Sequence, residues 1–141
     1  MWVSVLLMKV GGLVRGAAVT VEPEASLMDA AKLMSSNRVG LLVVVDPFDK
    51  GKIVGVISER DIVNAVARGG SIYSPIENLM TKQVITISKE ARLDEAAMTM
   101  SKFGIRHLVV VNEDSSLFGV VSVRDIVAEE RIIKALSTSV F

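Results

Sequence analysis

Apolar and polar positions along this chain switch between the period of a helix and that of a strand, and the whole pattern is written twice. Leu27, Ala30, Ala31 and Met34 recur at i, i+3, i+4 and i+7, and Leu93, Ala96, Ala97 and Met100 repeat the stripe. Each is one apolar face of a helix, with small alanines that suit close packing on a sheet. A short β-branched run precedes each stripe, Val19–Val21 and Val84–Ile87. Continuous apolar runs follow, Leu41–Val45 and Leu108–Val111, which read as buried strands. Asp46–Gly51 and Asn112–Ser116 have hairpin-loop chemistry, and Ile53–Ile57 and Leu117–Val121 are the returning strands. Helices are predicted from about Glu59 to Arg68 and from about Val123 to Leu136. Each unit is therefore β-α-β-β-α, with a short lead-in (Val10–Val14, Ile76–Met80) before its first strand. Gly69–Pro75 gathers glycine, serine and proline and marks the linker between domains at residues 10–68 and 76–136.

The duplication extends to residue identity. Gly55-Val-Ile-Ser-Glu-Arg-Asp-Ile-Val63 returns as Gly119-Val-Val-Ser-Val-Arg-Asp-Ile-Val127. Shifted by 66, the segment from Val10 to Asp46 falls on that from Ile76 to Asn112, with Leu13, Thr20, Glu24, Ala25, Leu27 and Leu42–Val45 among the identities. A period this long, in two copies, points to a pseudo-symmetric pair rather than an open solenoid. Paired units make paired, related sites, which favours a binding module over a single active site.

Composition narrows the classes. Half of the 141 residues are hydrophobic but only 4% aromatic, so the core is aliphatic. Mean hydropathy is +0.48. That apolar surplus predicts a surface buried against a second copy, a homodimer. Sixteen basic and sixteen acidic residues cancel, which points away from nucleic acid. Cysteine is absent, excluding disulfides and thiolate metal sites. The apolar start, Met1–Met8, lacks a basic n-region and a small-residue cleavage site, so no signal peptide is expected. No run reaches the ~20 apolar residues of a spanning helix. A soluble, cytoplasmic protein without membrane attachment is the expectation.

The candidate chemistry sits where strand passes into helix, at Ser58-x-x-Asp61 and Ser122-x-x-Asp125. An ionised carboxylate can accept hydrogen bonds from both ribose hydroxyls, and a serine beside free helix amides suits a polar ligand edge. The same spacing is also a near capping box, with Ser at the N-cap and Asp three residues on. The two roles are compatible. No P-loop, Gly-x-Gly-x-x-Gly, His-rich metal pattern or nucleophile elbow is present. One histidine and no cysteine leave few candidates for base or nucleophile, so the chain is not expected to be an enzyme, nor to hold a metal.

These residues in this order resemble a tandem pair of CBS domains, the module named after cystathionine β-synthase and also called a Bateman module. The likeness rests on the segment Ile76–Ile87, on Phe103-Gly-Ile-Arg-His-Leu-Val-Val-Val111 and on both Gly-x-x-Ser-x-Arg-Asp-Ile-Val segments. It covers about residues 10–130. The resemblance implies a mixed α/β (α+β) fold of two units packed sheet to sheet about a pseudo-twofold axis, with two clefts between them. It implies an adenosine-containing regulatory ligand such as AMP, ADP, ATP or S-adenosylmethionine, no obligatory cofactor, and signalling to an effector protein that the sequence does not identify. Asp61, Asp125, Ser58 and Ser122 would then meet ribose or polar ligand edges. Val56 and Val120 occupy positions that touch adenine in similar modules, or else are ordinary strand core. Asp61 and Ser58 would face Met80, Ile85 and Ile105, while Asp125 and Ser122 would face Val14, Val19 and Val39. Arg106 and His107 stand where similar modules place basic residues that reach a phosphate, and Arg38, Arg60 and Arg124 add charge. The first repeat has Gly40-Leu41 in place of Arg106-His107, so the two sites should differ. The competing reading is a structural dimerisation module in which the serines and aspartates only cap helices.

Overall fold

The computed structural model describes residues 7–129 and residue 134. Strand β1 (Thr20–Val21), helix α1 (Leu27–Asn37), β2 (Leu41–Asp46), β3 (Asp49–Ser58) and α2 (Glu59–Ala67) form the first series. β4 (Thr86–Ser88), α3 (Leu93–Phe103), β5 (His107–Val111) and β6 (Leu117–Ser122) come next, and a last helix, α4, covers residues 123–129. Two 3-10 turns, Val10–Leu13 and Ile76–Asn78, occupy the two lead-ins. The mixed α/β, β-α-β-β-α order is as the sequence predicts. The predicted helix end at Leu136, and Trp2, Val3, Val5 and Leu6 of the apolar start, lie outside the described residues.

The chain divides into two compact units, whose described parts are residues 17–84 with 115–117, and residues 7–16 with 85–114 and 118–129. The first carries a sheet of order β1-β2-β3, with β1 parallel and β3 antiparallel to β2. Its core is Val21, Leu27, Ala30, Met34, Leu42, Val44, Ile57, Ala65 and Ile76. The second carries β4-β5-β6, with β4 parallel to β5, over Val10, Leu13, Leu93, Ala96, Met100, Leu108, Val110 and Val121. The helical stripes are narrower than the pattern suggested. Ala31 is half-buried and Ala97 exposed, because the sheet-facing stripe leans to the i+3 side: i, i+3 and i+7 span about 60°, and i+4 lies about 40° beyond its other edge.

Compact units and sequence repeats do not coincide. Ile76, from the second lead-in, is fully buried in the first unit, and Val10, from the first lead-in, is fully buried in the second. The same bonds tie both in place. Leu27 N–H donates to Ser74 O (3.0 Å) and Ile76 N–H to Ala25 O (2.8 Å). Leu93 N–H donates to Met8 O (2.8 Å) and Val10 N–H to Ala91 O (2.8 Å). A strap of extended chain thereby satisfies an amide in the first turn of α1 and of α3, which the helix itself leaves without a partner.

Candidate functional site: the Ser-Asp boxes at two helix N-termini

Both Ser-x-x-Asp motifs are built as reciprocal caps. Ser58 is the N-cap of α2, where Asp61 N–H donates to Ser58 Oγ (3.2 Å) and Ser58 N–H donates to Asp61 Oδ2 (2.8 Å). Asp125 N–H donates to Ser122 Oγ (3.2 Å) and Ser122 N–H to Asp125 Oδ2 (2.8 Å), while Ser122 Oγ also lies 3.0 Å from Oδ2. The capping role is therefore real in both copies. It uses one carboxylate oxygen of each aspartate. Oδ1 of Asp61 and of Asp125 accepts no hydrogen bond from any described residue, and all four Ser and Asp residues are half-buried rather than enclosed.

The start of the second strand closes each box. Glu59 N–H donates to Gly40 O (3.0 Å), and Val123 N–H donates to Arg106 O (2.9 Å). The first and third amides of each helix are thus occupied, and the second, on Arg60 or Arg124, bonds to no described residue. Neither that amide nor Oδ1 of the following aspartate is bonded to a described residue, which leaves a donor and an acceptor on adjacent residues.

Each compact unit holds one set of the sequence-selected residues. The first contains Val19, Val39, Val56, Ser58, Asp61 and Met80, and the second contains Val14, Ile85, Ile105, Arg106, His107, Val120, Ser122 and Asp125. Every one of these is half-buried except Arg106, which is exposed. Strand geometry explains the exposure of the valines. Val56 alternates with Gly55 and Ile57, Val120 with Gly119 and Val121, and all four of those neighbours are buried. Val56 and Val120 thus stay outside the enclosed core. Met80 is brought against β3 by close packing at Gly55. A Cβ on Gly55 would lie 2.7 Å from Met80 Sδ, and one on Gly119 would lie 2.3 Å from Val14 Cγ1. Ile85 and Ile105, expected to face Asp61, belong to the compact unit that holds Asp125, and Val19 and Val39, expected to face Asp125, belong to the one that holds Asp61.

Sequence reasoning does not single out Thr81. Val56 N–H donates to Thr81 O (3.0 Å) and Thr81 N–H to Val56 O (2.9 Å), so the second lead-in adds a bridge to the edge of β3 next to the box. The identical glycines at 55 and 119 were the available signal, since only a residue without Cβ allows another chain segment to lie so close.

Comparison with known proteins decides the family. The profile of the CBS domain matches residues 10–68 and again 76–131. The chain belongs to the CBS domain family. A CBS domain protein from Pyrobaculum aerophilum, solved in complex with AMP, is 33% identical and superposes with a TM-score of 0.85 over 93% of this chain and 99% of its own. The CBS domain pair of protein MJ0100, solved with 5'-methylthioadenosine and S-adenosyl-L-methionine, is 31% identical with a TM-score of 0.79, over 86% of this chain and 98% of its own. An uncharacterized 17.7 kDa protein of Acidianus ambivalens is 36% identical over 118 residues, 84% of this CBS pair and 70% of that protein. Two relatives with enzyme names, an L-aspartate semialdehyde sulfurtransferase and an inosine-5'-monophosphate dehydrogenase, are spanned by this chain over only 20% and 22% of their length. No helix among the described residues is long and apolar enough to cross a membrane.

Proposed function

We propose that this CBS pair is a non-catalytic regulatory module that binds an adenosine-containing ligand (AMP, ADP, ATP or S-adenosylmethionine) at its Ser-Asp boxes and signals to a partner protein. The observation that carries the reading is that Oδ1 of Asp61 and of Asp125 accepts no hydrogen bond from a described residue, with half-buried Val56 and Val120 two residues before each serine. A carboxylate oxygen that accepts from ribose and an apolar side chain that lies against a base are the two contacts adenosine needs. AMP and S-adenosylmethionine in similar CBS pairs support the ligand class. Arg106 and His107 would serve a phosphate in one unit, where the other has Gly40 and Leu41. A cytoplasmic homodimer belongs to the same proposal, with the apolar surplus of the composition behind it.

The reciprocal caps favour a second reading, a structural module whose serines and aspartates hold helices only. A thermal-shift panel separates the two, using AMP, ADP, ATP, S-adenosylmethionine, methylthioadenosine and NADH with and without magnesium. A ligand at 100 times its Kd adds about 2.7 kcal/mol, which for a chain of this size raises Tm by roughly 5–10 °C. A shift with one adenosine compound establishes the sensor and ranks its ligand. No shift with any leaves the capping role alone.

A further inference from the structure

We infer that the lead-in Val10–Gly16 is a detachable strap of the second unit, which leaves as one piece while the sheet behind it stays folded. Its departure bares β6 at Gly119, next to Val120 and the second Ser-Asp box. What holds the strap lies within that one unit. Leu93 N–H donates to Met8 O (2.8 Å), Val10 N–H to Ala91 O (2.8 Å) and Gly11 N–H to Lys89 O (2.9 Å). Val10 and Leu13 are buried, and Val14 sits on Gly119. All of residues 17–84 come between the strap and the rest of its unit along the chain. Its departure therefore interrupts no connection between the strands and helices of that unit.

The other lead-in has the same frame without the glycines. Ile76 is fully buried, Ile76 N–H donates to Ala25 O (2.8 Å), Glu77 N–H to Pro23 O (3.1 Å) and Leu27 N–H to Ser74 O (3.0 Å). Glu77, Asn78 and Lys82 stand where the strap has Gly11, Gly12 and Gly16. Glycine loses more backbone freedom on ordering than any other residue, so equal bonds hold Val10–Gly16 less firmly. Packing demands only part of this glycine content. A Cβ on Gly11 would lie 3.0 Å from Lys89 O, and Gly16 is left-handed (φ 67°). Gly12 has neither need: nothing lies within 4 Å of its Cβ position, and its φ is not positive. What Gly12 contributes is freedom to the undocked strap. The consequence for ligand rests on the proposed function, in which the strap is the movable part of the second box.

Native-state amide hydrogen exchange on the full chain, without ligand and over a range of low denaturant concentrations, tests this. Amides at Val10, Gly11 and Leu93 should exchange about tenfold or more faster than those at Leu108 and Val110 of β5. They should also depend less on denaturant, because a local opening exposes less surface than unfolding of the unit. Gly12→Ala should slow exchange at Val10 and Leu93 by about two- to fivefold, and Gly11→Ala should speed it by more than about fivefold. Strap amides that share the rate and the denaturant slope of β5 overturn the inference, as does a Gly12→Ala variant whose strap exchanges no more slowly. Should Gly11→Ala not fold, the wild-type comparison and Gly12→Ala carry the test. No ligand takes part, so the detachable strap and the adenosine reading stand or fall separately.

Discussion

Asp61 and Asp125 each hold a helix cap through Oδ2, while Oδ1 accepts no hydrogen bond from a described residue. Substitution by alanine would remove both at once, so asparagine is the informative change. It keeps an oxygen for the cap and loses the charge. Asp61→Asn and Asp125→Asn should leave Tm nearly unchanged and weaken adenosine-ligand binding by about 1–3 kcal/mol, the scale of a hydrogen bond to a charged group. Calorimetric titration reads this, and unaltered affinity in both variants and in the double variant removes the ribose role. Ser58→Ala should instead cost about 1 kcal/mol of stability. Arg38 shows a different compromise. It ends α1 in the left-handed region (φ 55°, ψ 44°), where the second repeat has Gly104 (φ 63°, ψ 34°). A side chain there carries a steric cost of about 1 kcal/mol, partly offset by the extra freedom glycine gives the unfolded chain. Arg38→Gly should therefore raise Tm slightly, and a fall would show that the Arg38 side chain contributes more than its strain.

At the scale of elements, the two straps do one job with different chemistry. In the first unit, Ser26 caps α1 with a reciprocal Asp29 bond, and the Ser26 main-chain N–H chiefly holds the Asp29 carboxyl below its usual range. In the second, Arg92 replaces that serine and makes no cap, pairing instead with Asp94, while Lys9 pairs with Glu90. The hydrogen bond from Lys9 lowers the Glu90 pKa. A carboxylate depressed in the folded state adds stability above its unfolded pKa and loses it as pH falls through the folded value. Both units should thus weaken in acid below about pH 4, but only the strap on α3 should also weaken with added salt, since exposed ion pairs are screened. Lys9→Ala should reduce that salt dependence at Val10 and Leu93, read by amide exchange, with Arg92–Asp94 left to supply the rest; an undiminished dependence would remove the Lys9–Glu90 pair from the account. The elements themselves were legible because each carries its period, as in the buried positions Leu27, Ala30 and Met34 of α1. Which strap serves which helix was not. Alignment pairs Ile76 with Val10 by likeness, whereas packing places each under the other repeat's helix, a contact that periodicity does not encode. The reciprocal bonds of the Ser-Asp boxes were legible from spacing alone. Thr81 was invisible because its tie to Val56 is made by backbone, and its counterpart in the first repeat is Arg15.

The whole molecule is a duplicated fold whose two copies differ in charge at one corresponding position, Gly40 in the first and Arg106 in the second. The carbonyl of residue 40 or 106 accepts from the first amide of the following helix in either unit, so backbone fixes this position identically in both. Only the side chains differ: nothing on Gly40 and an exposed guanidinium on Arg106. A guanidinium favours an anion by a charge-assisted hydrogen bond, about twice as strong as a neutral one. On the proposed function the second unit should then prefer a phosphorylated adenosine, and the first should be indifferent to the phosphate. Arg106→Ala should weaken AMP by about tenfold or more, the loss of roughly 1.4 kcal/mol or above, and leave adenosine almost unchanged. The reverse graft, Gly40→Arg, should add a phosphate preference to the first unit. Paired titrations of AMP and adenosine decide it: equal losses for both ligands in Arg106→Ala would show that the guanidinium does not reach the phosphate, and the inequality of the two repeats would then lie in their stability rather than in their ligands.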